Sequence, residues 1–215
     1  MTILSTAYFP SISWMAILYK NTEVIIDLHE SYAKQSYRNR FYIASANGKM
    51  ALSVPVKKNN GNQSTCLDIS INYSEKWQQV HWRSLLAAYQ SSPYFLYYED
   101  EIKKLIYTEY NNLVEMNETI IKTISKLIGF STNFNYANDF ILPDTIDADY
   151  RFLIHPKKPS IAQIPNYEQV FMEKHGYIHD LSILDLLFNL GPESLSILDE
   201  TKIIDTNLSP NLSSK

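Results

Sequence analysis

The strongest constraint on this chain lies between Ile3 and Leu28, where two short apolar runs enclose a proline and a helical stretch. Ile3 to Tyr8 reads as a strand, ended at Phe9-Pro10 because proline has no amide hydrogen to give to a ladder. Ser11 or Ser13 then caps a helix across Trp14 to Lys20, with Trp14, Ile17 and Leu18 on one face. Glu23 to Leu28 (EVIIDL) is largely apolar, as a strand covered on both faces is. Strand, proline loop, helix and strand in that order make a β-α-β opening.

Further along, Phe41 to Val56 carries Asn47-Gly48, a tight-turn signal that reads as a hairpin between YIASA and KMALSVPV. The residues equally allow a short helix over Arg38 to Ala46 followed by one strand, and they do not decide between the two. Lys57 to Ser64 is an exposed loop by composition, and Cys66 to Tyr73 alternates like a half-exposed strand. Ser74 is expected to cap a helix in which Trp77, His81, Leu85 and Ala88 share a face. Ser91-Ser92-Pro93 interrupts it. Helical periodicity resumes over 94–110 and again from Leu113 to Ile128, with Gly129 as the stop. Beyond Phe130 the pattern weakens. Phe134 to Pro143 holds a short strand, Arg151 to Pro165 reads as a basic, proline-bearing loop, and Tyr167–Lys174 and Leu181–Asn189 read as helices.

Composition narrows the function classes. A chain of 215 residues with 45% hydrophobic residues builds a sizeable core. A net charge of −4 speaks against general nucleic-acid binding, which needs a basic surface. The one cysteine, Cys66, forms no intrachain disulfide, so a cytoplasmic location is expected. No apolar run approaches the roughly 18 residues of a membrane span, so no membrane insertion is expected.

Candidate chemistry concentrates in Asp27–Arg40 (DLHESYAKQSYRNR), polar residues following an apolar strand. If the strand continues, Asp27 and His29 fall on one side, as an orienting acid and a general base do; an exposed loop histidine is the plain alternative. Arg38 and Arg40 flank Asn39, and in an extended chain they project to one side about 7 Å apart, able to clamp a phosphate or carboxylate. The alternative is a salt bridge to Asp27 or Glu30. His81 is either a proton-transfer group or a hydrogen-bonded core histidine, and Trp77 beside it offers a stacking face for a sugar or base. No metal site is expected: His175 and His179 are four apart, but Gly176 lies between them.

Three stretches carry a resemblance: AYFPSISWMAILYKNTEVIIDLHESYAKQSYRNRFYI, EKWQQVHWRSLLAAYQSSPYFLYY and DLSILDLLFNLGPES. In this order, with Phe9-Pro10, Asn39-Arg40, Trp77-X3-His81 and Pro93-Tyr94-Phe95, the chain resembles the WbqC-like protein family, found with bacterial surface-polysaccharide biosynthesis genes. Two features depart from it: Ser5-Thr6-Ala7-Tyr8 precedes Phe9-Pro10 where a Gln-Pro opening is common, and Asp27-Leu28-His29-Glu30 stands where members carry an Asp-Asp pair. The resemblance implies a transferase acting on an anionic or nucleotide-linked sugar, or on an acyl or aminoacyl donor. Asn39, Arg40, Arg38, Trp77 and Tyr94 would then bind substrate, while His81, His29 and Asp27 would serve catalysis. A non-catalytic subunit that assembles with a biosynthetic partner protein is the competing reading. The β-α-β opening is also faintly similar to nucleotidyltransferases of the HIGH superfamily, but Ser11-Ile12-Ser13-Trp14 has no histidine where those enzymes carry two.

The expected fold class is α/β, with an N-terminal Rossmann-like β-α-β core and a mainly helical C-terminal half; α+β is the alternative. A single domain spans 1–215, with an α/β part at 1–73, a helical part at 74–130, a helix-and-loop part at 131–206 and a frayed tail at 207–215.

Overall fold

A computed structural model describes residues 1–143 and 148–204. The expected tail at 207–215 lies outside them. The architecture is α/β. β1 (Thr2–Ser5), α1 (Ile12–Lys20) and β2 (Val24–Asp27) form the β-α-β opening, with β1 and β2 parallel and Ile3 opposite Ile25. Ser11 caps α1 through its side chain, which accepts from the Trp14 amide. The helix buries every residue from Ile12 to Leu18. That explains why its sequence lacks a polar stripe: it lies inside the molecule.

A hairpin follows. β3 (Arg40–Ser45) and β4 (Gly48–Ser53) are antiparallel, and Gly48, at φ +96°, opens the second strand where an L side chain would be strained. The helical alternative over Arg38 to Ala46 is therefore not adopted. Lys57 and Lys58 are not in a loop but in β5 (Val56–Lys58), paired antiparallel with β6 (Ile69–Ile71). Cys66 to Asp68 forms a short 3₁₀ turn ahead of β6, so the strand is shorter than alternation implied.

α2 (Trp77–Tyr89) begins three residues after Ser74. The Asn72 side chain accepts the Ser74 amide at 3.1 Å, a local turn that takes Ser74 out of the cap position. Trp77, His81, Leu85 and Ala88 are all buried on one face, as their spacing requires. α3 (Phe95–Tyr107) and α4 (Leu113–Ile128) complete the helical part, and Gly129 stops α4 at φ +106°. β7 (Phe134–Tyr136) and β8 (Ala148–Asp149) then return to the sheet, giving four parallel strands in the order β7-β2-β1-β8.

The remainder packs as β9 (Ala162–Gln163), α5 (Met172–His175), α6 (Ile183–Leu190), α7 (Ser194–Glu200) and β10 (Lys202–Ile203). The predicted helix over Tyr167–Lys174 shrinks to the four residues of α5. Residues 166–169 alternate outward and inward instead, because the Tyr167 hydroxyl and the Gln169 amide are drawn to the buried Asp185 carboxylate, at 2.6 and 3.1 Å. Residues 181–183 tie the two ends of the chain together: the Ile12 amide donates to Leu181, and the Ile183 amide to Pro10. No helix among the described residues is long and apolar enough to cross a membrane.

Gly191 meets two constraints at once: φ is +55°, and a Cβ there would lie 2.4 Å from the Tyr94 ring. Gly129 has the positive φ but open space around it. Gly129→Ala is expected to cost about 1 kcal/mol from backbone strain, and Gly191→Ala about 2–4 kcal/mol because overpacking adds to it. Chemical denaturation of the two variants checks the difference.

Candidate functional site

The C-terminal ends of parallel strands leave backbone and side-chain groups facing a crevice, and ligands of open α/β sheets bind there where the strand order diverges. Here the divergence is at β1, with β2 on one side and β8 on the other. Ser5 ends β1, Asp27 ends β2 and Asp149 ends β8.

Two buried arginines gather these ends. Arg151, 2% exposed, donates through Nη1 to Asp27 and through Nε to both Asp149 oxygens, at 3.0 and 3.1 Å. Arg38, 4% exposed, forks onto Glu30, with Nε to Oε1 at 2.9 Å and Nη2 to Oε2 at 2.5 Å, while Nη2 also reaches the Ser5 hydroxyl at 2.8 Å. Burial alone would disfavour charge on each group. It does raise the Glu30 pKa, against the pull of Arg38. On each arginine burial is the largest single effect, but Glu30 by charge and hydrogen bond together with Cys66 outweighs it at Arg38, and the Asp149 and Asp27 carboxylates together do so at Arg151, so both guanidinium groups stay charged. Asn117 of α4 holds the Arg38 carbonyl at 2.8 Å and so fixes the backbone beside the pair.

Next to Arg38 and Arg151 opens a cleft of about 130 Å³, lined by Ser13, Tyr37, Lys49, His155, Lys158, Ser160, His179 and Asp180. Tyr37 also borders a small void shared with the two arginines. The first turn of α1 points its amides here, a position that suits an anion. The chain fills that position itself: Asp180 accepts from the Ser13 amide at 2.9 Å, the Ser13 hydroxyl at 2.8 Å and the Ser160 hydroxyl at 2.7 Å. The lysines of the cleft are Lys49, whose pKa burial lowers against the pull of Asp180, and Lys158, which donates to the Phe152 carbonyl at 2.8 Å. His155 has its pKa lowered by burial, by Arg38 and by Lys157 and Lys158. Its Nδ1 accepts the Lys157 amide at 3.2 Å, so the neutral ring carries its proton on Nε2 and can donate from there.

The predicted site residues divide. Asp27 and Arg38 belong to the cluster at the strand ends. The extended chain begins only at Arg40, so strand alternation does not relate Arg38 and Arg40, and the two take different partners. Arg40 donates to the Ser53 hydroxyl at 2.7 Å, and Asn39 to the Val54 carbonyl at 2.8 Å, so both brace the hairpin. Asp27 and His29 do not form a dyad through the ring, because β2 ends at Asp27. The Asp27 carboxylate takes the backbone amide of His29 at 2.8 Å, and the His29 ring sits 3.2 Å from the Ala137 carbonyl. Tyr94 packs on Gly191.

His81 is 1% exposed, with Nδ1 3.0 Å from the Tyr8 hydroxyl and Nε2 3.2 Å from the Ser53 carbonyl. A carbonyl only accepts, so Nε2 carries the proton and Nδ1 accepts from Tyr8. Burial lowers its pKa to about 4, so the ring is neutral at pH 7 with both nitrogens occupied. His81 and Trp77 also border a shallow groove of about 250 Å³ beside Ser53, separate from the strand-end cleft. Cys66 is buried against Glu30, and burial pushes its thiol up to about 12, outside the reactive range.

The sequence reading missed Arg151, Asp149, Asp180 and His155 as site residues. Arg151 and His155 fell in the stretch read as a basic, proline-bearing loop; Asp149-Tyr150-Arg151, two opposite charges two residues apart, was a local signal. Among the described residues, no group of three or more His, Cys, Asp or Glu side chains is placed to hold a metal ion.

Residues 6–155 match the WbqC-like protein family, a span that contains the two arginine pairs and His155. The chain is 23% identical over 220 residues to a protein of Mycobacterium tuberculosis (strain ATCC 25618 / H37Rv) described as uncharacterized protein Rv1507c, covering 90% of this chain and 95% of that one. No solved structure matches.

Two outcomes follow from the charges. Arg151→Met leaves the Asp27 and Asp149 carboxylates without a cationic partner and is expected to lower stability by about 3–5 kcal/mol in urea unfolding, with partial recovery when Asp27→Asn and Asp149→Asn are added. His81 titrates near 4 in the folded chain and near 6.5 unfolded, so the unfolded state takes up its proton first. Stability is therefore complete above the unfolded value and falls with pH down to about 4, by about 3 kcal/mol in total. Unfolding midpoints between pH 7 and 4 should fall less steeply for His81→Gln than for the wild type.

Proposed function

This chain belongs to the WbqC-like protein family, and from that premise we propose that it is a transferase of bacterial surface-glycan or sugar-precursor biosynthesis. The substrate is an activated donor with an anionic group: a nucleotide-linked sugar, or an acyl or aminoacyl donor. The observation that carries this reading is the strand-end cleft, where Lys49, Lys158 and His155 sit next to two arginines already fixed by buried carboxylates. Fixed charges need no rearrangement when an anion arrives, which is what favours binding and electrostatic stabilisation of a leaving group.

In this reading Arg38 and Arg151, with Asp27, Glu30 and Asp149, shape the floor and set the field. Lys158 and Lys49 meet the anion. His155, neutral with its proton on Nε2, hydrogen-bonds from there to the oxygen of the departing group, and His81 with Trp77 holds α2 on the hairpin that Asn39 and Arg40 brace. The reading includes a cytoplasmic location, which the single cysteine supports.

A second reading rests on a different observation. Leu96 and Tyr97, at the start of α3, are 76% and 79% exposed, an apolar pair on a surface that suits a protein partner. In that case the chain is an assembly subunit without catalysis of its own.

Calorimetry with a panel of nucleotide sugars, sugar phosphates, acyl donors and aminoacyl donors separates the two. A binder whose affinity falls at least about tenfold in Lys158→Ala/His155→Ala, with the melting temperature unchanged, supports the transferase. If nothing in the panel binds and the chain copurifies with a partner that Leu96→Asp/Tyr97→Asp releases, the assembly reading stands instead.

A further inference from the structure

A cavity of about 810 Å³ lies away from the strand ends, between the turn joining α2 to α3, residues 166–173 and the end of α6. Its volume falls within the range of ligand sites. We propose that it is a second binding site, for a saccharide that is uncharged or bears an amine and that carries no negative charge.

The cavity's construction points that way. Its floor is locked from behind: Asp185, fully buried, accepts from Tyr89 at 2.7 Å, Tyr167 at 2.6 Å and Gln169 at 3.1 Å, and its carbonyl accepts from Asn189 at 2.7 Å. Tyr167, Gln169 and Asn189 all face the cavity, so three lining side chains are held in place before any ligand arrives. Gln169 is fixed further by the backbone of Ile178, which it contacts through both its oxygen and its nitrogen.

The exposed rim carries the selectivity. Asn166, Glu168, Glu173 and Glu193 surround the opening, and no lysine, arginine or histidine lines it. Lys174, next in sequence to Glu173, donates to the Ala46 carbonyl at 2.6 Å instead. Carboxylates accept hydrogen bonds and do not donate them, so this rim attracts hydroxyl and ammonium groups and repels phosphate and carboxylate. Pro93 and Leu190 add apolar wall of the kind the hydrocarbon face of a sugar ring packs against. The strand-end cleft has the opposite charge preference. Apart from Ser91, Ser92 and Pro93, the residues that line the second site lie outside residues 6–155, the span that matches the family.

This inference stands apart from the transferase reading, since it concerns different residues and different ligands. Ligand-observed saturation-transfer NMR on the full chain tests it, with glucosamine and N-acetylglucosamine as probes and glucose 6-phosphate as the charged counterpart. Both sugars are expected to give signal. Glu168→Gln/Glu193→Gln, two exposed positions that leave the fold intact, should weaken glucosamine about tenfold and N-acetylglucosamine less. Val170→Trp, which fills the cavity, should abolish both while any glucose 6-phosphate signal persists. Absence of sugar binding to the wild type overturns the proposal, as does a sugar signal that survives Val170→Trp in a variant with wild-type melting. Displacement of glucosamine by glucose 6-phosphate overturns the charge preference.

Discussion

The guanidinium of Arg151 is the contact on which the sheet end depends. It joins Asp27, at the end of β2, to Asp149, at the end of β8, across the intervening β1. β8 is only two residues long and has little ladder of its own, so a charged fork spanning its neighbours does what backbone pairing alone does weakly. A buried ion pair of this kind adds little net stability over an apolar substitute, but breaking one side of it is costly. Its value is in register. The bidentate geometry fixes where three strand ends sit relative to one another, and the cleft opens beside them.

Arg38 with Glu30 repeats the device beside Arg151: both arginines border one void, and Ser5 joins Arg38 to the end of β1. The two pairs present charge that is already compensated from within. Lys49, Lys158 and His155 line the cleft outside the two pairs, with Lys49 in the field of the buried Asp180.

Much of the fold was legible in residue order because it rests on local periodicity. The β-α-β opening, the apolar face of Trp77, His81, Leu85 and Ala88, and the Gly129 stop each depend on a few neighbouring residues. One failure shows the limit of local pattern. Tyr167–Lys174 has helical composition, yet Asp185 pulls Tyr167 and Gln169 into an extended segment, a pull that no local pattern records. The site was legible in part for the same reason. Asp27 and Arg38 stood out as charges at the end of an apolar strand, whereas Arg151 acquires its meaning from a partner 124 residues earlier. Asp180 is similar: only the folded chain brings it to the first turn of α1, 167 residues from Ser13.

The backbone pairing of residues 10–12 with 181–183 carries a consequence for how the chain is made. The loop after β1 and the start of α1 bond to a segment near the far end, through Ile12 with Leu181 and Ile183 with Pro10. Closing so long a loop is entropically costly and slow. During synthesis the first β-α unit therefore emerges long before the strand of backbone that completes it, and its apolar helix, buried on every side in the finished protein, waits uncovered. The opening that most plainly announces the fold thus keeps its apolar helix without its final backbone partners until residue 183 has been made.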